Sequence, residues 1–367
     1  MEVEVLQDRL AKALNIVSRV AASTKAGLPI LSNVLLRAEE NQLTLTATDL
    51  NLATVVYVNA KAKKNGTITV PAKLLSEFVS NLPKETVKLF AKDEKLTIAA
   101  GKYKSTVNGI LADDFPELPK INEKEAATFK ISVDIFKEAV NEVIIAASND
   151  TTRPALTGVY FNTFEDALYI AATDGYRLAD KKFVEKVTSD IKVIVPTNAL
   201  QEVIRSINDG MDEIEVLITD AQIRFRMGEV EITSKLIDAS FPDYRRLIPE
   251  KCNSNIELDK AELIRMTKVA ALFARDSGGS IICEAKKDDG TFLITAVASE
   301  VGENSSAMEA KIEQDAKVTL NSRYLLDALN SIIEGKIIFS MSGKLDPIKI
   351  KNAKSEDYTH IIMPLNS

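Results

Sequence analysis

Three stretches of this 367-residue chain decide how it folds: Pro71-Ala-Lys-Leu-Leu-Ser-Glu-Phe-Val, Pro196-Thr-Asn-Ala-Leu-Gln-Glu-Val-Ile and Asn321-Ser-Arg-Tyr-Leu-Leu-Asp-Ala-Leu. Each opens 125 positions after the one before, each follows a short apolar run (67–70, 193–195, 318–320), and each carries apolar residues at helical spacing. Other markers keep the same period. Ala47-Thr-Asp returns as Ala172-Thr-Asp, each after an alternating run, and Pro29-Ile-Leu returns as Pro154-Ala-Leu. The third copy, Phe292-Leu-Ile-Thr-Ala-Val, lies where the period puts it but has lost the Thr-Asp. A unit this long exceeds a solenoid repeat and suits a domain.

Working outward, each unit has the same order: a short strand, an amphipathic helix, hairpins, a second helix and another hairpin. Helices are expected over 5–22, 72–84, 133–148, 197–209, 260–275 and 321–334, separated by turn signals such as Lys64-Asn65-Gly66 and Asp288-Asp289-Gly290. Glu40-Asn-Gln-Leu-Thr-Leu-Thr-Ala also resembles Asp93-Glu-Lys-Leu-Thr-Ile-Ala-Ala, which predicts that each domain is a doubled half. The fold class is therefore α+β: three repeated domains, 1–120, 128–249 and 253–367, each with two helices packed on antiparallel sheets. The connecting stretches near 119–128 and 249–255 are polar, short and begin at proline, so the domains are expected to pack in a row.

Composition narrows the function. A hydrophobic fraction of 46% and a charged fraction of 27% exclude collagen-like, disordered and disulfide-scaffold chains. No apolar run reaches 18 residues, and the acidic start Met-Glu-Val-Glu-Val does not read as a signal peptide, so no membrane association is expected. The two cysteines, Cys252 and Cys283, fit free thiols in a reducing cytoplasm. The single histidine, His360, excludes a multi-histidine metal site and weighs against a Ser-His-Asp enzyme. No GxxxxGK[ST] phosphate loop occurs. Asp49 and Asp174 follow strands, as catalytic aspartates can, but they recur with the repeat, and an aspartate bonding its own turn is the commoner case. Neither a metal, a cofactor nor a catalytic site is expected. An enzyme built on those two aspartates, and a repeat scaffold that binds only proteins, stay open as alternatives.

The net charge of −7, from 46 basic and 53 acidic residues, taken alone argues mildly against DNA as a partner. Counted over the six expected helices, however, the charge is +2, which leaves −9 for the rest of the chain. Loose contacts of helix surfaces with phosphates are compatible with that difference. The first helix buries Leu6, Leu10, Ala13, Leu14, Val17, Val20 and Ala21 and turns Asp8, Lys12, Asn15 and Arg19 the other way. In the fifth, the adjacent pair Leu272 and Phe273 cannot both face one core, which leaves partial burial under a loop or a contact with another subunit.

The threefold repeat, Leu28-Pro-Ile-Leu-Ser-Asn, Ala47-Thr-Asp-Leu, Ala172-Thr-Asp-Gly-Tyr-Arg-Leu-Ala, Phe241-Pro-Asp-Tyr-Arg-Arg-Leu-Ile-Pro and Ile361-Ile-Met-Pro-Leu together resemble the bacterial DNA sliding clamp, the beta subunit of DNA polymerase III, over essentially the whole chain. The resemblance implies a homodimer, joined head to tail by first and third domains, in which six domains form a ring around double-stranded DNA with helices lining the hole. Simple geometry agrees. Six helices about 10 Å wide enclose a clear hole of ~9 Å, too small for a duplex, whereas twelve leave ~28 Å. A ring that must slide needs enclosure more than affinity, which suits an acidic chain.

The resemblance also implies site residues. A peptide groove between the second and third domains would use Leu156, Thr173, Gly175, Tyr176, Arg177, Leu178, Pro242, Arg246, Leu247, Ile361, Met363, Pro364 and Leu365, with Tyr176 where the family often has histidine. Its implied occupants are short linear motifs of the DNA polymerase III alpha subunit, of other polymerases and of repair proteins; a separate ATP-driven clamp loader is implied as well. The candidates for DNA contact are Lys12, Arg19, Lys25, Asn149, Arg205, Arg265 and Lys268. For the ring seam, Lys102 and Lys104 on a first-domain edge would meet Glu300 and Glu303 near a third-domain edge, with Leu272 and Phe273 supplying the apolar part.

Overall fold

A computed structural model of the chain describes residues 1–22, 28–118, 121–298, 302–333 and 335–365. Six α-helices form among them: α1 (Gln7–Ala22), α2 (Ala72–Ser80), α3 (Val133–Ile144), α4 (Thr197–Ser206), α5 (Lys260–Phe273) and α6 (Ser322–Ser331). All lie within the expected spans; α1 begins two residues later than expected, and the other five end sooner. Pro83 cannot continue α2, which closes at Asn81, whose side chain donates to Glu77 O at 2.8 Å. The starts of α5 and α6 are capped by side chains: Asp259 accepts from Glu262 N at 2.8 Å and Asn321 from Arg323 N at 2.9 Å. In α1 the buried stripe is Leu10, Ala13, Leu14, Val17, Val20 and Ala21, joined by Ile16. Leu6 departs from the expectation: it ends the strand Glu2–Leu6 and is 51% exposed.

The chain divides into two compact units. Unit 1 comprises Met1–Val133 and Asn198–Leu236. It holds a five-stranded sheet, in the order Lys61–Lys64, Glu2–Leu6, Thr86–Lys92, Lys95–Ala100, Tyr103–Asn108. Its second sheet has eight strands: Ala127–Ser132, Glu213–Ile218, Gln222–Met227, Val230–Lys235, Leu52–Asn59, Gln42–Thr48, Asn33–Glu39 and Gly66–Pro71. Unit 2 comprises Asp134–Thr197 and Ile237–Ser367. Its eight-stranded sheet runs Lys192–Pro196, Gly158–Phe164, Ala167–Thr173, Arg177–Val184, Tyr358–Ile362, Ile348–Asn352, Lys336–Met341, Ser254–Asp259, and its four-stranded sheet Gly302–Glu309, Thr291–Ala298, Ser280–Lys286, Ala316–Asn321. Every pairing between these strands is antiparallel. Two-residue hairpins carry the positive φ that such turns need, at Asp93 and Glu94 and again at Glu165 and Asp166.

The eight-stranded sheets each join two repeats. Val230–Lys235 pairs with Leu52–Asn59, setting Thr233 opposite Ala53. Arg177–Val184 pairs with Tyr358–Ile362, setting Leu178 opposite Ile361. Neighbouring repeats are thus bound by main-chain ladders, in which alternate residues exchange N–H and C=O bonds across the seam. No described helix is long and apolar enough to cross a membrane. Cys283 and Cys252 are free thiols, and burial pushes the Cys283 thiol up to about 12.

Candidate functional site

The strands Ala167–Thr173 and Arg177–Val184 meet in a turn that the sequence builds from Thr173, Asp174 and Gly175. Thr173 Oγ1 donates to Arg177 O at 2.6 Å and accepts from Gly175 N at 3.1 Å. Asp174 Oδ1 accepts from Tyr176 N at 2.9 Å and Arg177 N at 3.0 Å. Asp174 is thus a turn residue, as is Asp49, which accepts from Asn51 N and Leu52 N at 2.9 and 2.7 Å. Gly175 has φ 94°, where glycine alone is unstrained. The turn lifts Tyr176 into solvent, 59% exposed, and the last strand leads out beside it, with Met363 N donating to Tyr176 O at 2.8 Å.

Beneath the turn, Leu178, Ile361, Ala171 and Tyr244 form a buried cluster against which Tyr160, Phe241 and Ile248 pack. Leu178, Ile361 and Thr173 are therefore floor, whereas Tyr176, Leu247 and Met363, exposed by 59, 54 and 39%, are rim. Pro242, Arg246 and Gly175 are also exposed, and Leu156, Pro364 and Leu365 are half-buried. Leu247 is held outward by what precedes it. The 3-10 turn Tyr244–Leu247 is fastened below by Tyr244, whose hydroxyl donates to Asp180 Oδ1 at 2.6 Å and accepts from Asn162 Nδ2 at 3.1 Å. It is fastened sideways by Arg245, whose guanidinium lies 4.0 Å from the Phe164 ring centre and 4.3 Å from that of Tyr169. Burial raises the Asp180 carboxyl and the Tyr244 hydroxyl above their ordinary ranges.

Arg177 behaves differently from a free peptide ligand. Its Nε lies 3.0 Å from Asp174 and one terminal nitrogen 2.6 Å from Asp327 on α6, and its guanidinium stacks 4.6 Å from the Tyr324 ring centre. Its side chain is 10% exposed, so it ties the groove to α6. The same strand carries Lys181, which bridges two of the carboxylates of α3, Glu138 at 3.0 Å and Glu142 at 2.8 Å. His360, on the floor strand, is fully buried with Nδ1 2.8 Å from the Tyr358 hydroxyl, and burial, then the Arg177 charge, push its pKa down to about 3.

Of the helix cations, Lys12, Arg205 and Lys268 are exposed and enter no ion pair among the described residues. Arg265 is exposed and paired with Glu262 at 3.0 Å, and Asn149 is exposed. Arg19 is tied to α4: its Nε donates to Glu202 Oε1 and its Nη2 to Ser206 Oγ, both at 2.9 Å. Lys25 lies outside the described residues. Tyr103–Asn108 is the free edge of the five-stranded sheet, with Lys104 exposed on it and exposed Lys102 beside it, its Nζ 5.6 Å over the Tyr103 ring. Gly302–Glu309 is the free edge of the four-stranded sheet and carries exposed Glu303; Glu300 lies outside the described residues. Leu272 is 56% exposed and Phe273 half-buried, so the pair does divide between core and surface.

Models of the three domains of the DNA polymerase III beta subunit match the chain end to end: the N-terminal domain over residues 1–119, the central domain over 130–243 and the C-terminal domain over 245–366. The chain belongs to this family, the bacterial sliding clamps. The beta sliding clamp of Synechococcus elongatus is 32% identical to it, across 100% of this chain and 99% of that protein. Two solved structures cover all of it: the DNA polymerase sliding clamp of Bacillus subtilis, 27% identical over 99% of that chain at a TM-score of 0.94, and the DNA polymerase III beta subunit of Pseudomonas aeruginosa, 28% identical over 100% of that chain at 0.92.

For this sliding clamp, sequence reasoning missed residues that position the others. Asp327 and Tyr324 hold Arg177, and Tyr160, stacked on Phe241 at 4.7 Å between ring centres, backs the groove wall. One signal was available: Glu77, Glu202 and Asp327 recur at the 125-residue period. The latter two each receive an arginine. On or beside the two edge strands, Tyr103, Val269 and Val297 are also exposed apolar residues that sequence reasoning passed over.

Proposed function

We propose that two copies of this clamp close head to tail into a ring around duplex DNA and hold the replicative polymerase to it, conferring processivity. The observation that carries the reading is the pair of free sheet edges: lysines at the edge of the first-domain sheet, glutamate and exposed leucine and valine at the third-domain side. Edges of opposite charge on one chain join head to tail, and two identical heterologous contacts close a ring. Lys102, Lys104, Leu272, Phe273, Glu300 and Glu303 make the seam. Lys12, Arg205, Arg265, Lys268, Asn149, Lys25 and the partly engaged Arg19 face DNA without reading bases, since exposed cations near phosphates give affinity that is independent of sequence.

The groove takes a short linear peptide of the DNA polymerase III alpha subunit, of other polymerases and of repair proteins. Apolar anchors settle between Tyr176, Leu247 and Met363 over the Leu178–Ile361 floor, and Arg246 meets an acidic neighbour. The chain performs no chemistry of its own; Asp49 and Asp174 serve their own turns. An ATP-driven clamp loader opens the ring, and the setting is the cytoplasm. Two measurements test this. The mass in solution should be near twice 40.2 kDa, and removal of residues 363–367 should abolish capture of the alpha subunit without lowering that mass. A persistent monomer refutes the ring; undiminished capture moves the groove elsewhere.

A further inference from the structure

The repeat duplicates the central turn of the groove inside unit 1, hydrogen bond for hydrogen bond. Thr48 Oγ1 donates to Leu52 O at 2.9 Å and accepts from Leu50 N at 3.0 Å, as Thr173 does with Arg177 and Gly175. Asp49 accepts from Asn51 N and Leu52 N as Asp174 does from Tyr176 N and Arg177 N. The neighbouring strand leaves in the same manner: Lys235 N donates to Asn51 O at 2.8 Å, matching Met363 N to Tyr176 O at 2.8 Å.

The copies differ where it matters. Gly175 corresponds to Leu50, which keeps the left-handed backbone at φ 76° although it carries a branched side chain, and that side chain is 41% exposed. A leucine enters this region only at a cost, and here no core burial offsets it. Leu28 is 51% exposed and, by the 125-residue period, stands where Arg153 stands. In unit 2, by comparison, the tip of Arg153 passes 3.4 Å from the place a Cβ on Gly175 would occupy. In the floor, Ala53 and Thr233 face each other in place of Leu178 and Ile361, leaving shorter side chains beneath the turn. Exposed Lys235 stands where Met363 stands.

We propose that the turn 48–52, with Lys235, is a second docking site for an extended peptide that carries one large apolar side chain flanked by a carboxylate. Leu50 takes the apolar group and Lys235 the carboxylate. The class of occupant rests on the peptide reading of the groove in unit 2, because the two share one backbone frame; the charge preference rests on Lys235 alone.

The test uses a random hexapeptide library displayed on phage, panned against the full chain carrying Leu247→Asp, which disables the groove of unit 2. Enriched peptides should pair Asp or Glu with Leu, Phe or Met. They should lose binding at least 10-fold when Leu50→Gly is added, and Lys235→Glu should remove the acidic preference. Leu50→Gly should leave the Tm unchanged or raised, since glycine is at ease at this φ. No enrichment, or enriched peptides indifferent to Leu50→Gly, overturns the proposal. Panning the unaltered chain in parallel separates the two sites. Peptides that need Leu247 but not Leu50 remove the second site and leave the first standing; peptides that need Leu50 but not Leu247 uphold the second and refute the first.

Discussion

Two leucines of the proposed groove show how differently one residue type can serve. Leu178 is 3% exposed and packs in the floor cluster; Leu247 is 54% exposed at the rim. Leu178→Ala should therefore cost about 2–5 kcal/mol of folding stability in urea titration, the range of a buried large-to-small change. Leu247→Ala should leave stability within about 0.5 kcal/mol but weaken a groove peptide roughly 10-fold or more, the loss of one apolar anchor. Calorimetry of binding beside unfolding curves would check both; equal destabilisation by the two variants would contradict the floor and rim division. His360 supplies a pH prediction. Its folded pKa of about 3 lies below the reference 6.5, so the folded chain binds fewer protons than the unfolded chain. The stability it contributes is complete above the reference value and is lost as pH falls from there toward 3. Between pH 7 and pH 5 the loss from this group is about 2 kcal/mol. Unfolding curves of the unaltered chain and of His360→Gln should converge on acidification over that window; parallel curves would exclude the effect. The sequence marked the floor and rim residues together, through their shared motifs, but could not sort them, because burial depends on strands brought together from far along the chain.

At the scale of elements, the helices were legible because their apolar spacing recurs with the repeat, and only their ends moved, where Pro83 and the capping side chains decide. What joins one element to another was less legible. Arg19 was expected to face DNA from α1, yet it reaches Glu202 on α4 at 2.7 Å, and that carboxylate is 6% exposed. Arg19→Ala should cost about 1–3 kcal/mol, less than a wholly buried pair because the Arg19 side chain is 27% exposed. Lys12→Ala, one of the exposed cations, should leave unfolding unchanged and instead flatten the salt dependence of direct binding to linear duplex by about one unit of slope. If Arg19→Ala behaves like Lys12→Ala, the bond between α1 and α4 has no structural weight. The acidic position shared by Glu202 and Asp327 was visible in the quoted repeats; which arginine would meet it was not, since Arg19 comes from a helix and Arg177 from a strand.

At the scale of the whole molecule, the period of 125 gave the count of domains, and family models match three of them along the chain. It could not show that an eight-stranded sheet runs from one repeat into the next, because the partners Thr233 and Ala53, or Leu178 and Ile361, carry no mutual signal in a single sequence. The five- and four-stranded sheets end, among the described residues, at Tyr103–Asn108 and Gly302–Glu309, and the proposed ring closes there. Replacing Leu272 with Asp should therefore shift the mass in solution from about 80 kDa toward 40.2 kDa with the fold retained by circular dichroism. The central claim is that this clamp stays on DNA by enclosing it rather than by gripping it. After loading onto a nicked circle and washing in high salt, the ring should remain bound, and it should be released at once when the same circle is cut to a linear form. Equal, salt-dependent loss from circle and line would contradict it.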